Sequence, residues 1–290
     1  MFDFRYHAVS LVAVLVALAV GLLLGVAIGD SGLVSSAERD LRASLRRNVV
    51  EARGQAADAR RGLAERRAIE AGDFFPLMVG GRLPAARIGL IGLGNVDDAT
   101  VRLVQRALEN SGGRLASVSV VGEPPDLAAL AKLANPARRT ELAGRPERVG
   151  RLARRVGVSF VQGSALLRRV RARLLRRGTS SGALTGVEGV VLVRSTPELT
   201  GEDATDTTAF EDGLVRGLVD TGVPVVGVQT TAQGEAGIRW FQERNLASVD
   251  DLDLLEGRAA LVLALAGEKG SFGVKPTADA LLPSVVPPGR

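Results

Sequence analysis

The chain has no cysteine, one histidine and two methionines in 290 residues. Without thiols it has no disulfide framework, no thiolate metal centre and no cysteine nucleophile. The single imidazole, His7, precedes a long apolar run and is set apart from any soluble active site. Ser-His-Asp and Cys-His catalysis are therefore excluded. Aromatic residues make up 3% of the chain, poor material for stacking on bases or sugars. Lysine is equally scarce. Lys132, Lys269 and Lys275 are the only three, so the basic residues are almost all arginine. Arginine beside abundant Ala, Gly and Val reads as the composition of a GC-rich genome, and the net charge of +5 does not mark a nucleic-acid binder.

What is present divides by region. Hydrophobic residues are 46% of the chain and the mean hydropathy is +0.17, which excludes global disorder. Residues 138–177 carry thirteen arginines and two acids, Glu141 and Glu147. Residues 188–257 reverse the sign, with fourteen acids and four arginines.

Ala8 to Ile28 form 21 consecutive uncharged residues. As a helix they span about 31 Å, the thickness of a bilayer core. The reading is a seven-residue cytoplasmic tail (1–7), an uncleaved transmembrane anchor (8–28) and an exported domain, placing the chain in the cell membrane as a single-pass protein. Ala13, Ala17, Gly21, Gly25 and Gly29 recur at every fourth position. Such a smooth strip lets helix backbones approach closely and predicts self-association.

After the break at Gly29-Asp30-Ser31-Gly32, Ser35 and Glu38 stand at capping-box spacing. Residues 33–72 contain no proline. Leu41, Leu45, Ala52, Ala56, Ala59 and Leu63 follow three- and four-residue steps, the narrow seam of a coiled-coil stalk. One amphipathic helix lying on its own domain fits the same pattern. Asp73 to Pro76 ends the helix and opens a linker.

From residue 85 to about 285 the period changes. RIGLIGL (87–93), residues 115–121, GVVLV (189–193) and VPVVGV (223–228) read as strands. Helical patterns at 97–110, 126–134, 145–156, 159–177, 208–219 and 257–266 alternate with them. The expected fold class is α/β, a doubly wound parallel-sheet sandwich carried on the anchor and stalk. The turn Gly92 to Asp97 places acids where a dinucleotide fingerprint needs its third glycine, so it reads as an acid-capped turn without a nucleotide.

Three candidate sites emerge. Asp250, Asp251 and Asp253 are the densest acid cluster and could hold a hard cation, although Ser248 and Asp251 also suit helix capping. Glu202, Asp203 and Asp206 fall in a Thr-rich segment expected to be an exposed loop. Arg168, Arg169, Arg171, Arg173, Arg176 and Arg177 form one face of a helix whose other stripe is Leu167, Val170 and Leu174. That face suits anionic lipid or an acidic partner, or a solvated surface paired with the acidic half of its own domain. No catalytic motif and no cofactor motif is present.

The opening FRYHAVSLVAVLVALAVGLLLG, the stalk, the βαβ start and the late SVDDLDLLEGRAALVLALAG followed by KPTADALLP resemble the actinobacterial copper transport protein B (MctB-like) family. The resemblance implies a membrane-anchored envelope protein, not an enzyme, tied to copper homeostasis and efflux and acting through homo-oligomers or partners. It also implies an alternative, a scaffold that recruits a cell-division or wall-remodelling protein. Copper enters by this resemblance alone. Copper(I) prefers Cys, Met and His, and the chain offers only Met1, His7 and Met78.

Overall fold

A computed structural model describes residues 4–29, 44–46, 48–51, 53–54, 75–134, 141–176, 181–182, 186–195 and 198–283. The chain divides into two compact units, Met1–Arg66 and Arg67–Arg290.

In the first unit, helix α1 runs Phe4–Gly29, and His7–Ala27 within it is long and apolar enough to cross a membrane. Residues 44–46, 48–51 and 53–54 are helical, with Leu45 and Val49 exposed. Leu41, Ala52, Ala56, Ala59 and Leu63 of the expected seam lie outside the described residues, as does Arg177 of the basic face.

The second unit starts earlier than the period change at residue 85. A short helix, α2 (Phe75–Val79), buries Phe75 and Val79, and Leu83 follows them into the core. The segment expected to be a linker is apolar enough to cover one sheet face. Next come β1 (Arg87–Leu93), α3 (Asp98–Leu108), β2 (Arg114–Val121), α4 (Leu127–Ala134), α5 (Pro146–Gln162), α6 (Ala165–Leu174) and β3 (Ser181–Gly182). The chain continues through β4 (Gly189–Arg194), α7 (Gly201–Val219), β5 (Val225–Val228), α8 (Ala236–Gln242), β6 (Ala247–Val249), α9 (Leu255–Leu265) and β7 (Ser271–Phe272).

The sheet order is β3-β2-β1-β4-β5-β6-β7, with six parallel strands and β3 antiparallel at one edge. The expected α/β layering is present. Strand alternation explains the two cores. Val190 and Leu192 of β4 face α5, α6 and α7, whereas Val191 and Val193 face α3 and α9. A strand buried on both faces must be apolar throughout, which is why GVVLV reads as an unbroken run.

Two helix boundaries differ from expectation. The helices expected at 145–156 and 159–177 are α5 and α6. Phe160 and Val161 continue the buried stripe of α5, and Gly163, at φ 72°, provides the break. Helix α7 starts at Gly201, not at 208, so the Thr-rich segment is helical. Helix α8 and strands β6 and β7 were not expected, being too short for a periodic signal.

Helices α5 and α7 pack backbone against backbone. A methyl group at Gly213 would collide with the Gly150 carbonyl oxygen, and one at Gly217 with that of Arg154. Glycine is used here for close approach on helices, where it costs roughly 1 kcal/mol against Ala in the isolated helix.

Candidate functional site

In a doubly wound sheet, ligands bind beyond the strand carboxyl ends, where the strand order reverses. Here that point lies between β1 and β4. It is filled by the protein's own side chains. Gly94 follows β1 at φ +84°, and a Cβ there would meet both the Ser195 hydroxyl and the Glu123 carboxylate. Ser195 Oγ donates to Leu93 O (3.1 Å) and accepts from Asn95 N (2.8 Å), stitching β4 to the turn after β1. Asp97 Oδ1 accepts from Thr100 N at 2.6 Å and caps α3. The Thr100 side chain, and then this backbone bond, hold its carboxyl below the ordinary aspartate range. The helix N-terminus that would receive a phosphate is thus taken by an acid, as the turn sequence implies.

The charged centre of this region is Glu211 of α7. It is 1% exposed and takes two hydrogen bonds from Arg194, Nε to Oε1 at 2.7 Å and Nη2 to Oε2 at 3.1 Å. The Arg194 guanidinium also lies 4.8 Å from the Trp240 ring centroid. Glu123, just past β2, brings a second carboxyl beside Glu211, and both of its oxygens are buried without a hydrogen-bond partner. Burial, then the Glu211 charge, pushes the Glu123 pKa up to about 8, against a smaller opposing pull from Arg194. Near neutral pH Glu123 is therefore a neutral acid beside a paired carboxylate. The arrangement stores a proton.

None of Glu123, Arg194, Ser195 or Glu211 stands out by motif. Glu211 carries a readable signal, since it interrupts the buried face of Thr207, Phe210, Leu214 and Leu218. A carboxylate on such a face needs a cation, and β4 ends in one.

The acid cluster does not converge. Asp250, fully buried, accepts from Val274 N (2.9 Å) and Lys275 N (3.2 Å). Asp253 accepts from the Thr231 amide (2.7 Å) and hydroxyl (2.6 Å). Asp251 sits beneath the first turn of α9, against Gly257, and its oxygens have no partner. Burial and the neighbouring Asp250 push its pKa up to about 7. Among the described residues no three His, Cys, Asp or Glu side chains could hold a metal ion together. The capping expectation is also corrected. Leu254 is the N-cap of α9, with no side-chain cap bond, and Ser248 instead exchanges a buried hydrogen bond with Ser271 (2.8 Å).

Glu202, Asp203 and Asp206 are on the first turns of α7, not in a loop. Asp206 is buried and accepts from Gly144 N at 2.9 Å.

The arginine face is real but smaller than expected. Arg168, Arg169, Arg171 and Arg173 are exposed on α6. Arg176 lies past the helix end, exposed, and donates to Gly94 O at 3.3 Å. Within 138–177, Arg154 pairs with Asp220 of the acidic half. On α1, a methyl group at Gly21 or Gly25 would meet nothing within 4 Å, and both glycines line a shallow apolar groove with Val14, Ala17 and Leu18.

The profile of the family described as copper transport outer membrane protein, MctB, matches residues 1–283. The chain belongs to this family. No curated protein matches it. The match spans both the N-terminal apolar helix and the α/β unit.

Proposed function

We propose that this chain is a membrane-anchored envelope protein of copper homeostasis that acts through oligomers or partners and does not itself form the copper path. Its MctB family membership supports the copper role. The observation that carries the indirect mode is the donor inventory. The soft or imidazole ligands that copper(I) prefers number three, Met1, His7 and Met78, and are scattered. His7 lies on the exposed surface of α1, in a different compact unit from Met78. A single spanning helix has no lumen, so a conduit needs other chains. The strip Ala13, Ala17, Gly21, Gly25 and Gly29 supports helix association, and residues 33–72 extend it as a coiled-coil stalk that holds the α/β unit in the envelope on the far side of the membrane from residues 1–7.

Deletion of the chain should raise cell copper and copper sensitivity, while the purified full-length protein, exposed to copper, retains less than one copper per chain. Normal cell copper in the deletion strain defeats the copper role. Stoichiometric tight copper defeats the indirect mode. A second reading, a non-catalytic scaffold for a division or wall-remodelling protein, draws support from the self-filled sheet mouth. It expects a crosslinked partner and a septation defect with unchanged cell copper.

A further inference from the structure

The layer formed by α4, α5 and α6 is far more basic than the rest of the fold. Lys132 of α4, Arg148, Arg151, Arg154 and Arg155 of α5, and Arg168, Arg169, Arg171 and Arg173 of α6 are nine cations, and Glu147 is the only acid on the three helices. All nine cations are exposed. Arg154 is spoken for by Asp220. Arg151 makes only a loose surface pair with Glu147 at 3.9 Å. Arg148 and Arg155 have no carboxylate partner among the described residues. Stepping by one turn and then two along α5, Arg148, Arg151 and Arg155 rim a groove of about 330 Å³ whose floor is Ala131, Leu142 and Leu152. Its size sits at the small end of ligand sites.

Self-repulsion among unpaired guanidiniums is a cost that an anionic surface removes. An apolar floor beneath three arginines suits an anion with a short apolar stem, and arginine grips phosphate through two parallel hydrogen bonds. The chain also carries its own membrane-length helix, His7–Ala27, which confines the α/β unit to the neighbourhood of a bilayer. Polybasic faces held near a membrane are drawn to anionic headgroups.

We propose that the α4–α5–α6 layer is an anionic-phospholipid docking face, with the groove between α4 and α5 seating one phosphate headgroup between Arg148, Arg151 and Arg155. The occupant is the lipid of the bilayer that holds the chain, so the inference rests on the anchored reading above. Docking lays the α/β unit against the membrane. Neutral lipid leaves it free on its tether.

The absence of cysteine makes the test clean. Ala172→Cys on the exposed side of α6 gives the full-length chain a single labelling site. Energy transfer from that label to a headgroup acceptor is read in phosphatidylcholine vesicles and in an equimolar phosphatidylcholine–phosphatidylglycerol mixture. Transfer should be high in the mixture, low in pure phosphatidylcholine and suppressed by high salt. Each arginine replaced by Gln in the set Arg148, Arg151 and Arg155 should lower the docked-to-free ratio about fivefold, with an unchanged melting temperature showing that the fold persists. Equal transfer in both vesicles overturns the proposal. So does full transfer in the triple Gln variant. Loss of transfer on adding inorganic phosphate at constant ionic strength assigns the groove to a free anion and overturns the lipid assignment. Transfer that appears only at high protein density assigns the face to another protein chain. Failure of the chain to float with either vesicle defeats the anchored reading itself, a result separate from all of these.

Discussion

Arg194 grips Glu211 through two parallel hydrogen bonds where the strand order reverses, joining β4 to the helix that follows it. The pair is nearly closed to solvent, with side-chain exposures of 13% and 1%. Trp240 covers the guanidinium and Glu123 abuts the carboxylate, so one bond pair ties together β4, α7, α8 and the turn after β2.

Removing one member of a buried ion pair leaves an uncompensated charge, a loss of about 3–5 kcal/mol. Glu211→Ala should therefore lower the unfolding free energy by that amount in chemical denaturation. Arg194→Met with Glu211→Leu removes both charges and should recover most of it. If the single variant unfolds like the wild type, the pair is not a structural tie.

Glu123 gives stability a pH dependence of unusual direction. Its pKa is near 8 in the fold against an ordinary 4.5. Between those values the folded chain holds a proton that the unfolded chain releases, so the unfolding free energy falls as pH rises through the window. Asp251, raised from 3.8 to about 7, acts in the same sense over a lower window. Glu123→Gln keeps the shape without the ionisation. Between about pH 5 and pH 9 its melting temperature should fall less steeply than that of the wild type, and at the alkaline end it should melt higher. Parallel melting curves for the two proteins would refute the assignment.

The α5–α7 contact tolerates no added methyl at Gly213 or Gly217. Gly217→Ala gains helix propensity of about 1 kcal/mol but drives a Cβ into the Arg154 carbonyl. Overpacking of this kind costs about 1–3 kcal/mol, so the net change should be destabilising. Gly222→Ala provides no such clash but sits at φ 79°, where strain alone acts. Denaturation midpoints of the two variants separate packing from backbone strain.

Asp250 is the anchor of the last described segment. Asp250→Ala leaves the amides of Val274 and Lys275 without their acceptor. Both bonds are only part-buried, so each loss costs about 0.5–1.5 kcal/mol. Amide exchange should rise at residues 271–280 before it rises in β1 or β4. Uniform exchange across the domain would show that this segment unfolds only with the whole.

Much of the architecture is legible in the residues. An uncharged run of 21 residues declares a helix long and apolar enough to cross a membrane, and RIGLIGL and GVVLV declare buried parallel strands. Asp97 at the end of the β1 turn declares an acid cap and no phosphate site, because capping is a local bond between neighbours. Short elements escape this kind of reading. Strands β6 and β7 are too brief to show alternation, and α2 is a single turn whose apolar residues gain meaning only against the sheet.

Local pattern thus determined the long apolar N-terminal helix, the βαβ alternation, the basic and acidic halves and the poverty of copper ligands, since each depends on composition or on neighbours in sequence. Tertiary structure alone decided which charges are buried and what they meet. Asp250, Asp251 and Asp253 look like one cluster in the sequence, yet in space Asp250 meets the Val274 and Lys275 amides, Asp253 meets Thr231, and Asp251 is buried without a partner. Glu123 and Glu211 look unrelated and share one site, because β2 and α7 carry them to the same end of the sheet. A carboxyl's proton depends on desolvation and on the charges within a few ångströms, and neither quantity exists until the chain has folded.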